Sequence, residues 1–177
     1  MLPIALPDRR FMQLCWVVPD LDVAMASWTK TTGVGPFFRA HVTSYDNPMY
    51  RGKPTIPPPF EAALAQAGDI QIELVCQKDD TPSVFRDVVP LGQSGFHHTC
   101  LYSDSYDRDV GFYEKAGFKV IFSGLMMGYR VCWIDTTPAL GFMVEILTKN
   151  PTADAVFETI RSGGHNWDGR DPVRRLG

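Results

Sequence analysis

The sequence lacks any long apolar run, and its first residues, MLPIALPDRR, contain no apolar stretch of the length that a signal peptide requires. We therefore expect no membrane span and a cytoplasmic location. It also lacks an excess of either charge, because the formal net charge of −3 gives no electrostatic basis for binding nucleic acid or an anionic membrane. Basic residues cluster only at Arg170, Arg174 and Arg175, which are too few for a nucleic-acid-binding patch.

Cysteine is scarce as well. The four cysteines, Cys15, Cys76, Cys100 and Cys132, share no Cys-x-x-Cys spacing, and each lies in a predicted strand. This pattern argues against a disulfide framework or a thiolate metal site and favours small buried side chains in a reducing compartment. The remaining composition is typical of a globular protein, and 177 residues suffice for one core or for two small modules that share one.

An internal repeat is the most informative feature of the chain. The segment QLCWVVPDLDVAMASWTKTTGVGPFF aligns with HTCLYSDSYDRDVGFYEKAGFKVIF. The alignment places Gln13 on His98 and, after one deleted residue, Gly33 on Gly117. Each copy has the pattern of a strand, a polar turn, an amphipathic helix, a glycine stop and a second strand.

Each copy continues into a pair of strands separated by turn-forming residues. These pairs are FEAALAQA with DIQIELVC, and YRVCWIDT with GFMVEILT. We therefore predict an α+β fold in which two βαβββ modules, residues 1–85 and 95–150, form a curved eight-stranded mixed sheet around a metal-binding cleft. Residues 151–177 add a C-terminal helix (Thr152–Gly163) and a tail, 164–177, without periodicity, and the whole chain forms one structural domain.

The first copy carries an insertion at residues 40–59. It is rich in proline and contains Tyr45, Tyr50, Arg51 and Lys53. A long connection inside a compact domain is more often functional or mobile than structural padding. The four residues are candidates for a lid that binds substrate, with the two cations holding a carboxylate or phosphate. The alternative is a solvated loop.

Strand alternation brings polar side chains to one face of the predicted sheet. Apolar neighbours leave Gln13, Glu73 and Glu145 on the face opposite the helices. We assign His98 to the same face, because it is the repeat mate of Gln13, and His97 to the helix side. Glutamate is depleted in strands and costly to bury unpaired, which favours a functional site. The alternatives are an ordinary half-buried amide at Gln13 and a hydrogen-bonded pair of core histidines.

Gln13, Glu73, His98 and Glu145 together form a mixed nitrogen and oxygen ligand set. Such a set suits one divalent ion, Zn²⁺, Ni²⁺, Co²⁺ or Mn²⁺, with positions left for water or substrate. A bound cation would keep the carboxylates ionised and polarise an incoming carbonyl oxygen. Glu145 or Glu73 could then remove a proton next to that carbonyl, because the metal stabilises the resulting enolate. The alternative is a vestigial site.

These motifs resemble the vicinal oxygen chelate superfamily, which includes glyoxalase I, methylmalonyl-CoA epimerase, extradiol dioxygenases and fosfomycin or bleomycin resistance proteins. The resemblance covers about Phe11 to Thr148 and is carried by QLCWVVPDLDVAMASW, GDIQIELV, GFHHTCLYSD and GFMVEIL. It implies metal ligands from the first, fourth, fifth and eighth strands, which here carry Gln13, Glu73, His98 and Glu145. The ligand order is similar to that of one glyoxalase I type, whereas GFHHT is similar to the epimerase branch.

The resemblance implies a homodimeric, metal-dependent lyase or isomerase of the glyoxalase/epimerase type, acting on a small carbonyl or vicinal-oxygen substrate by proton transfer. When the predicted third strand is aligned with that of a bacterial epimerase, Glu61 falls near a catalytic carboxylate. Glu61 is therefore a further candidate for a catalytic residue. Gln13 stands where epimerases and extradiol dioxygenases carry histidine, which disfavours oxygen-dependent ring cleavage and makes iron a less favoured metal. A metal-dependent dioxygenase with a degraded first ligand is the second hypothesis. A non-catalytic binding protein, like the resistance members, is the third. Cys15, Val75 and Met143 on the cleft face favour a substrate with an apolar or aromatic part.

Overall fold

A computed structural model describes residues 10–42 and 45–176 of the chain. Within these residues, eleven strands form one mixed sheet. The strands are β1 (Phe11–Val17), β2 (Phe37–Val42), β3 (Asp46–Tyr50), β4 (Lys53–Pro54), β5 (Phe60–Ala67), β6 (Ile70–Cys76), β7 (Gly95–Ser103), β8 (Lys119–Met126), β9 (Tyr129–Asp135), β10 (Met143–Thr148) and β11 (Val173–Arg175). The helices are α1 (Leu21–Thr32), α2 (Val84–Val88), α3 (Tyr106–Lys115), α4 (Thr137–Leu140) and α5 (Pro151–Gly164).

The order of the strands is β11-β2-β5-β6-β1-β7-β10-β9-β8-β3-β4. At the centre, β1 and β7 are antiparallel, and each has a parallel neighbour on its outer side, β6 for β1 and β10 for β7. Beyond these, β5 and β2 follow on one side, and β9 and β8 on the other. The predicted α+β class with a mixed sheet is confirmed, but the strand count is eleven and not eight.

Three short strands account for the difference. The insertion contributes β3 and β4, and β3 pairs with β8, so that Tyr50 lies opposite Phe122. The segment 164–177, which we expected to be a tail without periodicity, contributes β11, which pairs with β2 in parallel. Strands of two, five and three residues are too short to give a readable alternation in the sequence.

Caps in the sequence mark the start of α1 and the ends of both α1 and α3. Asp20 is the N-cap of α1 and accepts a hydrogen bond from the backbone N–H of Val23 at 3.0 Å. Gly33 ends α1 with a φ of 75°, and Gly117 follows α3 with a φ of 91°. Both glycines adopt the left-handed conformation that the sequence predicted. None of the helices in the described parts of the chain is long and apolar enough to cross a membrane.

The core is divided between the two faces of the sheet. On one face, Leu21 and Met25 of α1 pack against the first half of the sheet, and Tyr106 and Tyr113 of α3 pack against the second half. On the other face, a third cluster packs against α2 and α5. Its members include Cys15, Phe60, Leu64, Phe85, Cys100, Trp133, Met143 and Leu147. A cavity lies on this second face, at the centre of the sheet.

Candidate metal centre

Three of the predicted ligands converge at the centre of the sheet. Nε2 of His98 on β7 lies 3.1 Å from Oε2 of Glu145 on β10 and 3.4 Å from Oε2 of Glu73 on β6. One ligand atom from each of the three residues lies within 4.8 Å of the others. The side chains of His98, Glu145 and Glu73 are 1%, 7% and 15% exposed, so that the group is largely withdrawn from water.

Gln13 lies in the wall of the same cavity. It is on β1, between β6 and β7, and lies opposite Gln71 on one side and Cys100 on the other. Its Nε2 donates a long hydrogen bond, 3.5 Å, to Oε1 of Gln71. The side-chain amide oxygen of Gln13, Oε1, is therefore the atom left for a metal ion or a substrate.

The chemistry of the group fits a divalent cation. Nε2 of His98 faces both carboxylates, but it makes a well-directed hydrogen bond with neither. A buried polar atom is rarely left without a partner, which points to a ligand at this position. One imidazole nitrogen, two carboxylates and an amide oxygen form a set suited to zinc, nickel, cobalt or manganese.

The protonation of His98 reflects the same charges. Burial lowers its pKa, but the polar contacts with Glu145 and Glu73 and their charges outweigh burial and raise the pKa to about 9. In the metal-free protein, a proton on His98 therefore balances part of the carboxylate charge at neutral pH. That proton occupies the place where a cation would bind.

A β-bulge places His97 on the same face as His98. Cys15 lies opposite His98, whereas the next residue, Trp16, lies opposite Phe96, so that His97 is the extra residue on β7. Our assignment of His97 to the helix side is therefore wrong, because simple alternation fails at a bulge. Phe96 takes the helix side instead, with its ring 5.0 Å from that of Trp16.

The two histidines are in direct contact. Nδ1 of His97 lies 2.7 Å from Nδ1 of His98, and Nε2 of His97 lies 2.8 Å from the backbone oxygen of Val84 on α2. Complete burial, and after it the charge of His98, lowers the pKa of His97 to about 3. The hydrogen-bonded pair that the sequence left open is thus present, and it includes the candidate metal ligand.

Two buried thiols lie beside the carboxylates. The strand register places Cys15 opposite Glu73 and Cys100 opposite Glu145. Burial, followed by the carboxylate charges, raises the pKa of both thiols well above the usual range, so they stay protonated and can act as donors. Our sequence reasoning treated these cysteines as apolar core residues. The missed signal was their matching position, each two residues after a candidate ligand.

The candidate metal-binding group, His98, Glu73 and Glu145, lines a cavity of about 550 Å³. Most of the remaining wall is apolar and comes from both halves of the sheet, from α5 and from the C-terminal strand. The apolar members include Phe60, Leu64, Phe85, Leu125, Met126, Trp133, Leu147, Val156, Phe157 and Leu176. Among the described residues, no lysine or arginine lines this cavity. The charged or titratable residues in the described part of the wall are Asp46, Tyr45 and the candidate ligands Glu73, His98 and Glu145.

Of the predicted substrate-binding residues, Tyr45 lines the cavity. Its ring packs edge-on against Phe122 at 5.0 Å and against Trp133 at 6.4 Å. Burial, and then the charges of Glu145 and Glu73, raises the pKa of its phenol well above the usual range. The hydroxyl group therefore stays protonated close to the metal-binding group.

The other three predicted lid residues do not line this cavity. Nη2 of Arg51 lies 2.7 Å from Oδ1 of Asp87 on α2, and the hydroxyl of Tyr50 donates to the same oxygen at 2.9 Å. Lys53 is exposed on β4. Arg51 and Tyr50 thus connect the insertion to α2.

Glu61 lies on the face of β5 opposite the cavity. Phe60 and Ala62 face the cavity, so alternation turns Glu61 away. Its Oε2 lies 3.6 Å from Arg39 and 3.9 Å from Lys78. The structure does not bring Glu61 to the site, and this position does not support a catalytic role.

Comparisons with known proteins point to one superfamily. The family model described as Glyoxalase/Bleomycin resistance protein/Dioxygenase superfamily matches residues 12–133. A search of curated proteins found no match.

Solved structures share the fold at low sequence identity. A methylmalonyl-CoA epimerase from Mycobacterium tuberculosis has 17% identity and a TM-score of 0.55, over 81% of this chain and 90% of that chain. A methylmalonyl-CoA epimerase variant from Streptomyces coelicolor, in complex with 2-nitronate-propionyl-CoA, has 17% identity and a TM-score of 0.56, over 80% and 95%. A hypothetical protein from Bacillus halodurans has 14% identity and a TM-score of 0.57, over 81% and 96%. Because the family model spans more than half of the sequence, the chain belongs to the glyoxalase/bleomycin resistance protein/dioxygenase superfamily.

Proposed function

We propose that the protein is a metal-dependent lyase or isomerase that transfers a proton on a small carbonyl or vicinal-oxygen compound. The observation that carries the proposal is the convergence of His98, Glu73 and Glu145 in the wall of a largely apolar cavity. Membership of the superfamily and the fold shared with methylmalonyl-CoA epimerases support this class of reaction. We also propose that the two halves of the sheet are copies of one βαβββ module, since their strands follow the same order outward from the centre.

The residues divide into holding and proton-transfer roles. Gln13, His98 and the two glutamates hold the cation. A divalent ion bound there supplies a Lewis acid for a substrate oxygen. Glu73 or Glu145 accepts the proton next to the carbonyl and returns it, while the protonated thiols of Cys15 and Cys100, opposite these carboxylates, can donate to them and keep them oriented.

The cavity wall favours a substrate that is apolar or aromatic away from its reacting oxygens. No described lysine or arginine lines the cavity, so a substrate carboxylate or phosphate placed inside would lack a protein cation to pair with. Arg51, which we expected to hold such a group, is paired with Asp87. The hydroxyl of Tyr45 is a neutral donor for a polar substrate atom.

Metal analysis combined with two substitutions tests the proposal. We expect freshly purified protein to contain a divalent metal, and Zn²⁺, Ni²⁺, Co²⁺ or Mn²⁺ to raise the melting temperature of metal-stripped protein. His98→Ala should lose metal and activity together, and Glu145→Gln should lose activity. Activity is measured as incorporation of solvent deuterium next to the carbonyl in a panel of aryl and alkyl hydroxycarbonyl compounds.

Glu61→Gln is the matched control, because it changes a carboxylate of the same sheet that faces away from the cavity. It should keep both metal and activity. A metal-free protein whose melting temperature ignores all four ions would indicate a non-catalytic binding protein instead. Full metal occupancy in His98→Ala would show that the ligand assignment is wrong.

The dioxygenase alternative gains no support from the site. An iron oxygenase of the two-histidine, one-carboxylate type needs a second imidazole at the metal. His97 is adjacent, but its nitrogens face His98 and Val84. Oxygen consumption by the iron-loaded protein would favour this alternative. The homodimer implied by the resemblance stays a prediction, which light scattering would test.

A further inference from the structure

We propose that His97 is a positioning residue, which accepts a hydrogen bond from Nδ1–H of His98 and so presents Nε2 of His98 to the cation. The inference deepens the proposed function and rests on it for the presence of the cation. The hydrogen bond itself is a property of the metal-free protein, so it can be tested separately.

The position of the protons follows from the partners. The backbone oxygen of Val84 can only accept, so Nε2 of His97, 2.8 Å away, carries a hydrogen. A neutral His97 then has a lone pair on Nδ1. That lone pair faces Nδ1 of His98 at 2.7 Å, and two bare nitrogens would repel each other at this distance. The proton between them therefore belongs to Nδ1 of His98.

A positively charged His97 is the first alternative. It would satisfy Val84 and place a proton on His97 Nδ1, leaving His98 neutral. However, both described carboxylates that contact the pair, Glu73 and Glu145, lie against His98 and not against His97. A positive charge in this buried pair is therefore most stable on His98.

Trp133 supplies the second alternative. Its indole N–H lies 3.3 Å from Nδ1 of His98 and would donate to that nitrogen if it carried no proton. In this arrangement His98 would carry its proton on Nε2, and His97 would have to place a bare nitrogen against the oxygen of Val84. Two short contacts, at 2.7 and 2.8 Å, outweigh one long contact at 3.3 Å.

The bulge makes the contact possible. In a regular strand, consecutive side chains point to opposite faces and their rings do not meet. The extra residue in β7 turns both imidazoles to the cavity side, where α2 supplies the backbone oxygen of Val84. The ring of His97 also packs against Phe85, with the ring centres 5.1 Å apart, which holds it in place.

Nitrogen-15 NMR of the imidazoles in metal-free protein tests the hydrogen bond directly. We expect a scalar coupling between Nδ1 of His97 and Nδ1 of His98, with the shared proton assigned to His98, and a protonated Nε2 on His97. Trp133→Phe should leave this pattern in place. A shared proton assigned to Nδ1 of His97, or loss of the coupling in Trp133→Phe, would overturn the proposal.

A pair of variants tests the positioning role. Asparagine at 97 places a carbonyl oxygen close to the position of Nδ1 and keeps the acceptor, whereas phenylalanine keeps the volume without an acceptor. Both lose the donor to Val84, so any loss of folding stability from that bond is shared. We expect His97→Phe to bind Zn²⁺ about 10- to 100-fold more weakly than wild type, and His97→Asn to stay within about threefold.

Equal zinc affinities for the two variants would overturn the positioning role. If His97→Phe fails to fold, the zinc affinity of His97→Asn and the spectrum of the wild type still test the proposal. A loss of zinc affinity in His97→Asn relative to wild type, or a shared proton on Nδ1 of His97, contradicts it. Failure of wild-type protein to bind zinc, nickel, cobalt or manganese would refute the proposed function, while the metal-free spectrum would still report whether His97 accepts from His98.

Discussion

At the scale of single residues, one imidazole nitrogen between two carboxylates determines how the site binds protons and cations. Nε2 of His98 can hold either a proton or a cation, because the carboxylates of Glu73 and Glu145 attract both. Because the pKa of His98 is raised to about 9, the imidazole is protonated at neutral pH when no cation is bound. Binding of a cation at this nitrogen would therefore release that proton.

Metal affinity should accordingly depend on pH. Since the proton is held below a pKa of about 9, we expect the apparent affinity for Zn²⁺ to rise about tenfold per pH unit from pH ~6 to ~8.5 and to level off above about 9. Calorimetric titrations in buffers of different ionisation enthalpy would measure both the affinity and the proton released. An affinity that is constant over this range would contradict the assignment of His98.

The cysteines should be unreactive in the folded protein. All four are free and buried, and burial raises the pKa of the Cys15 and Cys100 thiols well above the usual range and that of Cys132 to about 12. Because the thiolate is the reactive form, a disulfide reagent at pH ~8 should modify none of them until denaturant is added. Rapid modification of the native protein would show that the thiols are accessible and would contradict their role as buried donors.

The residues of the site were predictable where strand alternation holds and where the repeat supplies a partner. Alternation identified Glu73 and Glu145, and the repeat identified His98. The orientation of His97 could not be predicted, because a bulge shifts the register by one residue and leaves no signature in GFHHT. The thiol donors were missed because a buried cysteine is ordinarily read as a small apolar residue.

At the scale of elements, the short helix α2 connects the insertion to the histidine pair of the candidate metal site. Its first residue, Val84, accepts from His97, and its fourth, Asp87, binds Arg51 and Tyr50 of the insertion. The hydroxyl oxygen of Ser83 caps the helix by accepting a hydrogen bond from the backbone N–H of Arg86 at 3.2 Å. A displacement of the insertion would therefore be transmitted to the histidine pair through the four helical residues 84–87.

The contact between Asp87 and the insertion should protect the chain from proteolysis. Arg51 is 57% exposed and its pair with Asp87 is screened by water, so Asp87→Ala should lower the free energy of unfolding by less than about 1 kcal/mol. The released insertion should, however, be cut faster by trypsin after Arg51. Asp104→Ala, which breaks the exposed pair with Lys149, is the control and should not change this cleavage. Equal cleavage of both variants would contradict the anchoring role.

The elements that the sequence predicted are the longer ones with local partners. FEAALAQA and DIQIELVC pair with each other as β5 and β6, so both the alternation and the turn are visible. In contrast, β3 pairs with β8 and β11 pairs with β2, each far away along the chain. The local partner of β3 is β4, which has only two residues, so neither β3 nor β11 carries a local pattern from which to infer it.

At the scale of the whole molecule, the cavity is closed by residues from opposite ends of the sheet. Leu176, next to the edge strand β11, lines the same cavity as Leu125 and Met126 of β8. Leu176 therefore contributes to the cavity wall, although the candidate ligands lie on the central strands.

A charge at Leu176 should weaken binding of an apolar ligand without affecting metal. We expect Leu176→Asp to reduce binding of the neutral dye Nile red several-fold, because a carboxylate in an apolar wall is costly to desolvate. Zinc affinity should be unchanged. Val173→Asp is the matched control, since Val173 is 44% exposed on the neighbouring strand. A similar loss in both variants would indicate damage to β11 and not to the cavity.

The pairing of β3 with β8 has a consequence for how the polypeptide can be divided. A break in the connection between α2 and β7 would leave one fragment whose insertion contributes a strand beside β8 of the other fragment, in addition to the long seam between β1 and β7. Each fragment alone would expose unpaired strand edges and an incomplete set of ligands. Co-expressed as two separate polypeptides, they should reassemble into a single heterodimer, and added zinc should slow their dissociation.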